Sequence, residues 1–226
     1  MGSTYIQGDF LPIILNDLNK PWEKVLELGT PVSFPPRSII PQREASSGTG
    51  MYLLRGGLVK LSYISLNGKE KTHFYIGPNT LFHEVPMFFS TRIYTFTCME
   101  STEIVFFPKK LITADFVRRY PELFLNMLES SSIKSIMLYA ALSREHTHDS
   151  FAKVCHVLYC MHLFSKAGDA VVPHLAQQEL AAFLGIHRSS LHKALRRLHD
   201  EGVIGVYRKK ELPIYDAGAL LKYATE

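Results

Sequence analysis

Between about residue 28 and residue 107, short apolar stretches alternate with turn-forming residues. Each stretch is rich in β-branched and aromatic side chains, which favour extended chain on a partly buried sheet. The predicted strands are Ser33–Phe34, Ser38–Ile40, Met51–Leu54, Leu58–Ile64, Lys71–Ile76, Tyr94–Met99 and Thr102–Phe107. Asn67-Gly68 predicts a hairpin between the fourth and fifth strands, because both residues tolerate positive φ. Many short strands with regular turns predict a compact antiparallel roll or barrel.

After Pro108 the apolar residues recur at a helical period. Lys109–Phe116 predicts a short helix, and Pro121 opens a stretch of about 27 residues without glycine or proline. Its apolar residues form two stripes, one of Leu123, Met127, Ile133, Met137 and Ala140, the other of Phe124, Leu128, Leu138 and Leu142. Because ~40 Å of helix exceeds what a small roll can cover, this pattern favours packing against a second copy of the helix. Burial within one large domain is the alternative.

The last third of the chain predicts three further helices and a hairpin. Asp149 offers an N-cap for a helix over Phe151–Lys166, a second helix covers Ala176–Leu184, and a third begins near His187. Gly185 lies between the last two helices, where a tight turn favours a residue without Cβ. The predicted buried face of the third helix is Leu191, Ala194, Leu195 and Leu198. The hairpin consists of a strand over Val203–Tyr207, the turn Arg208-Lys209-Lys210 and a strand over Leu212–Tyr215.

Two helices around a tight turn, followed by a basic hairpin, are typical of a winged helix-turn-helix, whose second helix fits the major groove of DNA. Arg188 and Lys193 can donate to guanine, and Ser189 can bond base edges or phosphates. The predicted DNA-binding residues are Arg188, Ser189, Ser190, His192, Lys193, Arg196, Arg197, Arg208 and Lys209. A solvated basic face on a core helix is the alternative interpretation.

Composition agrees with a folded, non-membrane protein. The chain has 226 residues, of which 46% are hydrophobic and 20% charged, and its formal net charge is only +4. Charge distribution is more informative, because residues 151–226 carry ten Lys and Arg against seven Asp and Glu, and four of those ten lie between Arg188 and Arg197 without an acid. No apolar run approaches the ~20 residues of a membrane span, and the N-terminus lacks a secretion signal, so a cytoplasmic location is expected. Three cysteines without CxxC spacing are expected to be reduced.

Three stretches of the sequence resemble the Crp/Fnr family of bacterial transcription regulators. The helix-turn-helix runs from Gln178 to Ile204, the glycine-turn hairpin from Met51 to Leu61, and the third stretch contains Leu81–Val85 and Arg92–Thr97. The resemblance implies that the protein reads DNA from the positions of Arg188, the next residue and Lys193. Ser189 replaces the usual Glu and Lys193 the usual Arg, which puts the usual half-site sequence in doubt.

The third stretch resembles the cassette that binds the phosphate of cyclic nucleotides. Glu84 and Arg92 match the family's ribose-binding Glu and phosphate-binding Arg, but His83 replaces a Gly and Ile93-Tyr94 replace a small pair. Close approach of a phosphate to the backbone favours glycine, so we expect no cyclic nucleotide to bind. The predicted effector pocket comprises Phe82, His83, Glu84, Arg92, Tyr94, Leu138 and Tyr139. Its aromatic lining suits an anionic or phenolic organic effector, as in the branch that senses halogenated phenols. The alternative is that Arg92 and Glu84 pair and side chains fill the pocket.

Other chemistries are less well supported. No cysteine precedes Cys98, which excludes the N-terminal cysteine cluster of iron–sulfur sensors. Haem ligation stays open as a less favoured alternative, with the candidate ligands His73, His83, Met51, Met87 and Cys98. His156 and Cys160 have the i, i+4 spacing of a zinc pair, but the helix needs its cysteines in the core, so no metal site is predicted. The usual catalytic motifs are absent from the sequence, so an enzyme is not expected.

The sequence therefore predicts an α+β protein: an N-terminal β-roll of the double-stranded β-helix or jelly-roll type, a long dimerisation helix and a C-terminal winged helix-turn-helix. The predicted boundaries are 1–120 for the roll, 121–148 for the helix and 149–226 for the DNA-binding domain. The expected function is effector-controlled transcription regulation by a homodimer on an inverted-repeat operator in double-stranded DNA, with RNA polymerase as a further partner if the regulator is an activator. A ligand-binding module that uses its helix-turn-helix for protein contact is the second alternative.

Overall fold

The computed structural model describes residues 11–41, 48–65, 68, 70–88, 94–147, 149–165 and 170–225, with the backbone alone for 142–147 and 170. Contacts divide the described residues into two compact units, one of Ile14–Met137 and one that contains residues 11–13 and 138–225. The division falls inside the long helix. The boundaries at 120/121 and 148/149 were predicted from the ends of that helix and stay predictions.

The first unit is a roll of two four-stranded sheets. One sheet has the order β1-β5-β4-β7 and the other β2-β8-β3-β6. The strands are β1 (Ile14–Leu15), β2 (Thr30–Phe34), β3 (Gly50–Gly56), β4 (Val59–Ile64), β5 (Glu70–Ile76), β6 (Thr80–Phe82), β7 (Tyr94–Cys98) and β8 (Thr102–Pro108). Pairing is antiparallel except between β1 and β5. The predicted β-roll is confirmed.

Six of the seven predicted strands are present, and two further strands, β1 and β6, were not predicted. The predicted strand at Ser38–Ile40 is reduced to a single bridge between Ile39 and Thr97. Strands β4 and β5 pair as predicted; Gly68 at their turn has φ +78°, whereas Asn67 lies outside the described residues. Gly57 has φ +93°, and a Cβ there would lie 2.5 Å from the Ser101 carbonyl oxygen, so this turn requires glycine.

Helices complete the roll. A 3-10 helix (Lys20–Leu28) precedes β2, α1 (Glu84–Phe88) follows β6, and α2 (Ala114–Arg119) follows β8. In place of the single helix predicted over Lys109–Phe116, the chain forms a 3-10 turn at Lys109–Leu111 and then begins α2 at Ala114. Thr113 separates the two, because its hydroxyl caps α2 by accepting a hydrogen bond from the Phe116 N–H. The long helix α3 covers Pro121–Thr147, as predicted.

One face of α3 closes the core of the roll. Leu123 and Met127 belong to a buried cluster with Trp22, whose indole packs against Phe107 at a centroid distance of 5.4 Å. The opposite face of α3 remains exposed and includes Leu125, Leu128, Ile136 and Tyr139. The helix is therefore apolar on two sides, as predicted, but the second predicted stripe is only partly exposed. Leu128 is exposed, whereas Phe124 packs against the core of the roll and Leu138 is half-buried. The side chain of Leu142 lies outside the described residues. Met137 is 6% exposed and Leu128 48%, so these two stripes have different environments within one chain.

A buried polar cluster attaches α3 to the strands. Asn19 is fully buried; its Nδ2 donates to the Asn126 Oδ1 over 2.9 Å and its Oδ1 accepts from the Leu81 N–H over 2.9 Å. The Asn126 amide in turn donates to the Leu18 carbonyl over 2.9 Å. These bonds satisfy the buried Asn19 side chain, a buried strand amide and the half-buried Asn126 side chain, and leaving such groups unpaired is costly.

The second unit is helical with a small sheet. Its elements are α4 (Ser150–Leu163), β9 (Ala170–Val171), α5 (Gln177–Leu184), α6 (Arg188–Asp200), β10 (Leu212–Pro213) and α7 (Ala217–Thr225). Asp149 caps α4 by accepting from the Ala152 N–H over 2.8 Å, as predicted. Cys155 and Cys160 of α4 are free and buried, and burial raises the pKa of the Cys155 thiol to about 12. Helix α7 was not predicted. No helix within the described part of the chain has the length and apolar character to span a membrane.

Replacing Asn19 by Ala should lower the free energy of unfolding by about 1–3 kcal/mol, because the Leu81 N–H and the Asn126 amide lose buried partners. Trp22 is the one tryptophan of the sequence and is 1% exposed in the roll, so its fluorescence during urea unfolding reports this unit. Asn16→Ala is the matched control, since Asn16 is exposed in the same segment and should change the value by less than about 0.5 kcal/mol. Equal effects of the two substitutions would contradict the role given to Asn19.

Candidate nucleic-acid interface

Helices α5 and α6 are joined by the tight turn that the sequence predicts. Gly185 ends α5 with φ +66°, a left-handed conformation that favours glycine, and its N–H donates to the Ala182 carbonyl over 3.3 Å. Ile186 follows and donates to the Ala181 carbonyl over 3.1 Å. These bonds use carbonyls that the end of α5 would otherwise leave without partners.

Helix α6 has one buried face and one exposed face. The buried residues are Leu191, Ala194, Leu195 and Leu198. They are the four residues that the helical spacing predicted. Opposite them, Ser189, His192, Lys193 and Arg196 are exposed, Arg188 is exposed at the first turn, and Ser190 is half-buried. The structure thus brings most of the predicted DNA-binding residues together on the outer side of α6.

Arg197 differs from its neighbours on α6. Its guanidinium lies 4.0 Å from the ring centroid of Phe151 in α4, and its Nε donates to the Glu201 carboxylate over 2.8 Å. The ring centroid of Tyr223 in α7 lies 5.4 Å from the same guanidinium group. This side chain attaches α6 to α4 and α7, so we do not count it in the interface proposed below. Helical spacing alone could not indicate this, because α7 was not predicted.

The hairpin after α6 is less regular than predicted. Single bridges pair Ile204 with Ile214 and Arg208 with Glu211, and the Gly205 N–H donates to the Pro213 carbonyl over 2.8 Å. The predicted continuous strand over Val203–Tyr207 is wrong. The other side of the hairpin contains β10, and the strand that pairs with β10 is β9 rather than this segment. Pro213 has no N–H to extend a second ladder.

A buried tyrosine holds the hairpin against the domain. The Tyr207 hydroxyl donates to the Leu175 carbonyl over 3.0 Å, and burial raises its pKa well above the usual value. At the tip, Arg208 lies 3.9 Å from Glu211 and Lys209 lies 4.0 Å from Glu179. Both basic side chains are solvent-exposed, so these surface pairs are weak and leave the cations available to a polyanion. An open groove between α6 and the hairpin is lined by His192, Arg196 and His199 from α6 and by Val206 and Tyr207.

The first residue before α6 is a histidine that caps it. His187 Nδ1 accepts a hydrogen bond from the Ser189 N–H over 3.2 Å and lies 2.7 Å from the Ser189 hydroxyl oxygen. Sequence analysis placed His187 only as the start of the helix and assigned it no role. The sequence could have indicated this role, because His187 directly precedes the first residue of the helix. An acceptor side chain at that position pairs with a backbone N–H that would otherwise have no partner.

In the roll, the cassette is attached to α3 by a buried ion pair. Lys134 Nζ pairs with the Glu84 carboxylate at the start of α1 and donates to the Leu81 carbonyl over 2.6 Å. The two side chains are only 11% and 12% exposed. Sequence analysis assigned Glu84 to the effector pocket and missed Lys134. The sequence could have indicated this pairing, because Lys134 lies on the same helical stripe as Met127 and Met137.

His83 takes the left-handed conformation that a glycine would favour. Its φ is +73°, its side chain is 2% exposed, and its Nδ1 donates to the Gly50 carbonyl over 2.8 Å. Burial lowers the pKa of His83, so the neutral ring is the stable form. The ring lies 5.3 Å from Tyr52 and 5.4 Å from Phe96. Among the described residues, its Nε2 has no hydrogen-bond partner.

The predicted effector residues have different environments. Phe82 and His83 belong to one buried aromatic cluster, in which Phe82 lies 5.3 Å from Phe96. Tyr94 is half-buried, with its ring 6.3 Å from His73. On α3, Leu138 is half-buried and Tyr139 is 70% exposed. Arg92 lies outside the described residues. The further haem candidates Met51, Met87 and Cys98 are core side chains, and no observation favours haem ligation.

Comparison with known proteins agrees with both units. The model of the cyclic nucleotide-binding domain matches residues 31–115, and the model of the Crp-like helix-turn-helix domain matches residues 152–223. No curated protein matches the chain in sequence.

Several solved structures share the fold. The complex of a cysteine-to-serine variant of CprK with OCPA has a TM-score of 0.74 at 20% identity and covers 93% of this chain and 97% of that chain. A mutant of CooA from Carboxydothermus hydrogenoformans has a TM-score of 0.76 at 17% identity, covering 93% of this chain and 100% of that one. The c-di-GMP responsive regulator CLP from Xanthomonas campestris has a TM-score of 0.70 at 17% identity, covering 85% and 97%. These structures agree with the chain in fold, and the match of a cyclic nucleotide-binding domain followed by a Crp-like helix-turn-helix domain places the chain in the Crp/Fnr family of DNA-binding transcription regulators.

Proposed function

We propose that the protein is a homodimeric, effector-controlled regulator that binds an inverted-repeat operator through α6 and the hairpin. The observation that carries the proposal is the division of α6 into a fully apolar buried face and an exposed face of hydroxyl, imidazole and cationic groups. A helix of this width fits the major groove of B-DNA. Its first turn and outer side would then meet base edges, and the hairpin would meet the phosphate backbone.

The exposed groups on α6 suit distinct parts of a duplex. Arg188 lies at the first turn, from which a guanidinium can reach guanine O6 and N7, and Lys193 lies one turn further on the outer face. Arg196 lies beyond them and is exposed, which suits a phosphate. Replacing Arg188 by a residue without donors would then relax one base position, whereas losing Arg196 would weaken binding to every sequence.

Replacing Arg196 by Ala should weaken binding to duplex DNA and reduce the slope of log K against log salt by about one, because one phosphate contact is lost. Arg197→Ala is the matched control on the adjacent residue. It should leave the slope unchanged and lower the thermal stability of the domain, since Arg197 packs on Phe151. Fluorescence anisotropy of a labelled duplex across a salt series measures both slopes.

The same salt series separates DNA contact from protein contact. If the helix-turn-helix served a protein partner, the wild-type chain would show no steep, linear loss of duplex affinity with salt. A slope that falls with Arg197→Ala and not with Arg196→Ala would contradict the assignment of the two arginines.

The exposed face of α3 supports the dimer. Leu125, Leu128 and Ile136 are 60%, 48% and 42% exposed, at spacings that place them on one side of the helix. Ser132 and Ser135 lie between them, and their hydroxyls donate to the Leu128 and Ser131 carbonyls over 2.9 and 3.0 Å. These serines can therefore be buried by a second helix without leaving an unpaired hydroxyl. Small residues between apolar ones also let two helices approach closely.

Leu128→Glu should convert the dimer to a monomer, because it places a charge in an apolar helix–helix contact. Sedimentation equilibrium measures the mass. Ile39→Glu is the matched control, since Ile39 is 64% exposed on the roll and away from α3 in sequence, and it should leave the dimer intact. A Leu128→Glu variant with the mass of two chains would show that the dimer uses another surface.

The cassette supports an effector other than a cyclic nucleotide. In the family pattern its Glu bonds a ribose hydroxyl, but here the Glu84 carboxylate is buried and paired with Lys134. His83 stands where the family has glycine, and its side chain is anchored to Gly50. We propose that an anionic or phenolic organic effector binds near Arg92 and acts on α3 through the Glu84–Lys134 pair. Breaking one partner of a buried pair is costly, so movement of α1 would be transmitted to α3.

Cyclic AMP and cyclic GMP should give no binding heat at micromolar concentrations in titration calorimetry. Glu84 would have to leave Lys134 in order to accept a ribose hydroxyl, which would leave a buried ammonium without its carboxylate. The fluorescence of buried Trp22 verifies that the titrated roll is folded. A micromolar Kd for either nucleotide would contradict this part of the proposal.

A further inference from the structure

His187 is hydrogen-bonded to both the side chain and the backbone N–H of one residue, Ser189. Its Nδ1 lies 3.2 Å from the Ser189 backbone nitrogen, with the geometry of a hydrogen bond, and 2.7 Å from the Ser189 hydroxyl oxygen. Both residues are exposed at the start of α6. They therefore lie at the end of the helix that would meet base edges in the proposed complex.

The two contacts determine where the hydrogens lie. A backbone N–H can only donate, so His187 Nδ1 accepts and has no hydrogen of its own. The Ser189 hydroxyl lies 2.7 Å from that same nitrogen and, with no hydrogen on Nδ1 to accept, donates to it, so that the hydroxyl and the backbone N–H share the one lone pair in a three-centre hydrogen bond. The Ser189 oxygen is left with two lone pairs and no hydrogen to offer to a ligand. A serine in isolation would rotate its hydroxyl and act as donor or acceptor equally well.

From this geometry we propose that His187 fixes Ser189 as a hydrogen-bond acceptor, which reads the amino group of adenine or cytosine in the major groove. Adenine N6 and cytosine N4 are the donors on that edge, whereas guanine and thymine offer acceptors and, for thymine, a methyl group. The inference rests on the proposed function, because it requires that α6 enter the major groove. His187 is a positioning residue in this scheme, and Ser189 makes the contact.

This arrangement complements the two cations of α6. Arg188 and Lys193 are donors only, so they favour base edges with acceptors. A fixed acceptor at Ser189 favours a base edge with a donor at a neighbouring base pair. The three side chains would then specify a half-site through two hydrogen-bond donors and one acceptor. A freely rotating hydroxyl at position 189 would not specify its base, because it could donate or accept.

The test begins with an operator selected from random duplexes by the full-length wild-type chain. The base pair read by Ser189 is the one at which Ser189→Ala loses discrimination among the four bases. Wild type should prefer adenine or cytosine there by roughly 3- to 10-fold over guanine or thymine, as expected for one neutral hydrogen bond. Replacing that base by an analogue without the amino group (purine for adenine, 2-pyrimidinone for cytosine) should cost wild type the same factor and Ser189→Ala nothing.

His187→Gly tests the positioning role. Glycine is a favourable N-cap residue, so α6 should still form, as circular dichroism would verify. Without the imidazole the hydroxyl rotates, and the discrimination at the Ser189 position should fall to within about 2-fold. Combining His187→Gly with Ser189→Ala should produce no further loss, because both act on one contact.

Several results would overturn the inference. A preference for guanine or thymine at the Ser189 position, or an unchanged ratio in His187→Gly, would contradict it while leaving DNA binding itself established. Failure of the wild-type chain to bind any duplex at low salt would instead contradict the proposed function. The two failures are therefore distinguishable in one set of measurements.

Discussion

The structure depends on one long helix, α3, which buries one face in the roll and leaves the other face exposed among the described residues. Leu123 and Met127 of α3 complete the core of the roll, and the helix extends over Pro121–Thr147. An α-helix of this length presents a second side, which is apolar here and solvent-exposed at Leu125 and Leu128. Exposing such a stripe along several turns has a free-energy cost that a second copy of the helix would remove.

The buried face of α3 also contains a charge, and this explains the environment of the cassette. Lys134 occupies a position on the buried stripe, so its ammonium requires a partner away from water. Glu84 and the Leu81 carbonyl provide that partner, from the first residue of α1 and from β6. The cassette is therefore attached to the helix by an interaction whose loss is expensive. In the proposed function, this interaction transmits effector binding to α3.

Sequence reasoning predicted the regular parts of the fold. The α6 core face was predicted residue by residue, because four apolar positions at helical spacing on one helix leave no other arrangement. The roll strands and α3 followed from the same kind of local pattern. The irregular hairpin did not, because the pairing of β10 with β9 joins segments about 40 residues apart, and nothing in the local pattern specifies that partner.

Within the candidate sites, the sequence does not specify the side-chain partners. Arg197 was grouped with the DNA-facing cations, since its contacts with Phe151 and Tyr223 come from helices distant in sequence. Lys134 was missed because its partner Glu84 lies 50 residues away in the sequence. His187 was missed although its partner Ser189 is only two residues away, and the local sequence could have indicated this cap. Residue type and spacing indicate which face is exposed, but only tertiary contacts show which exposed side chains are already engaged.

The most direct test of the account is the stoichiometry of the wild-type chain on a selected operator. Sedimentation equilibrium of the chain with a labelled duplex that contains the inverted repeat gives the mass of the complex. A regulator paired through α3 should have the mass of two chains in free solution and place two chains on each duplex, with half-sites about 34–36 Å apart. A single chain in solution, or one chain on each duplex, would contradict the pairing of α3 on which the account depends.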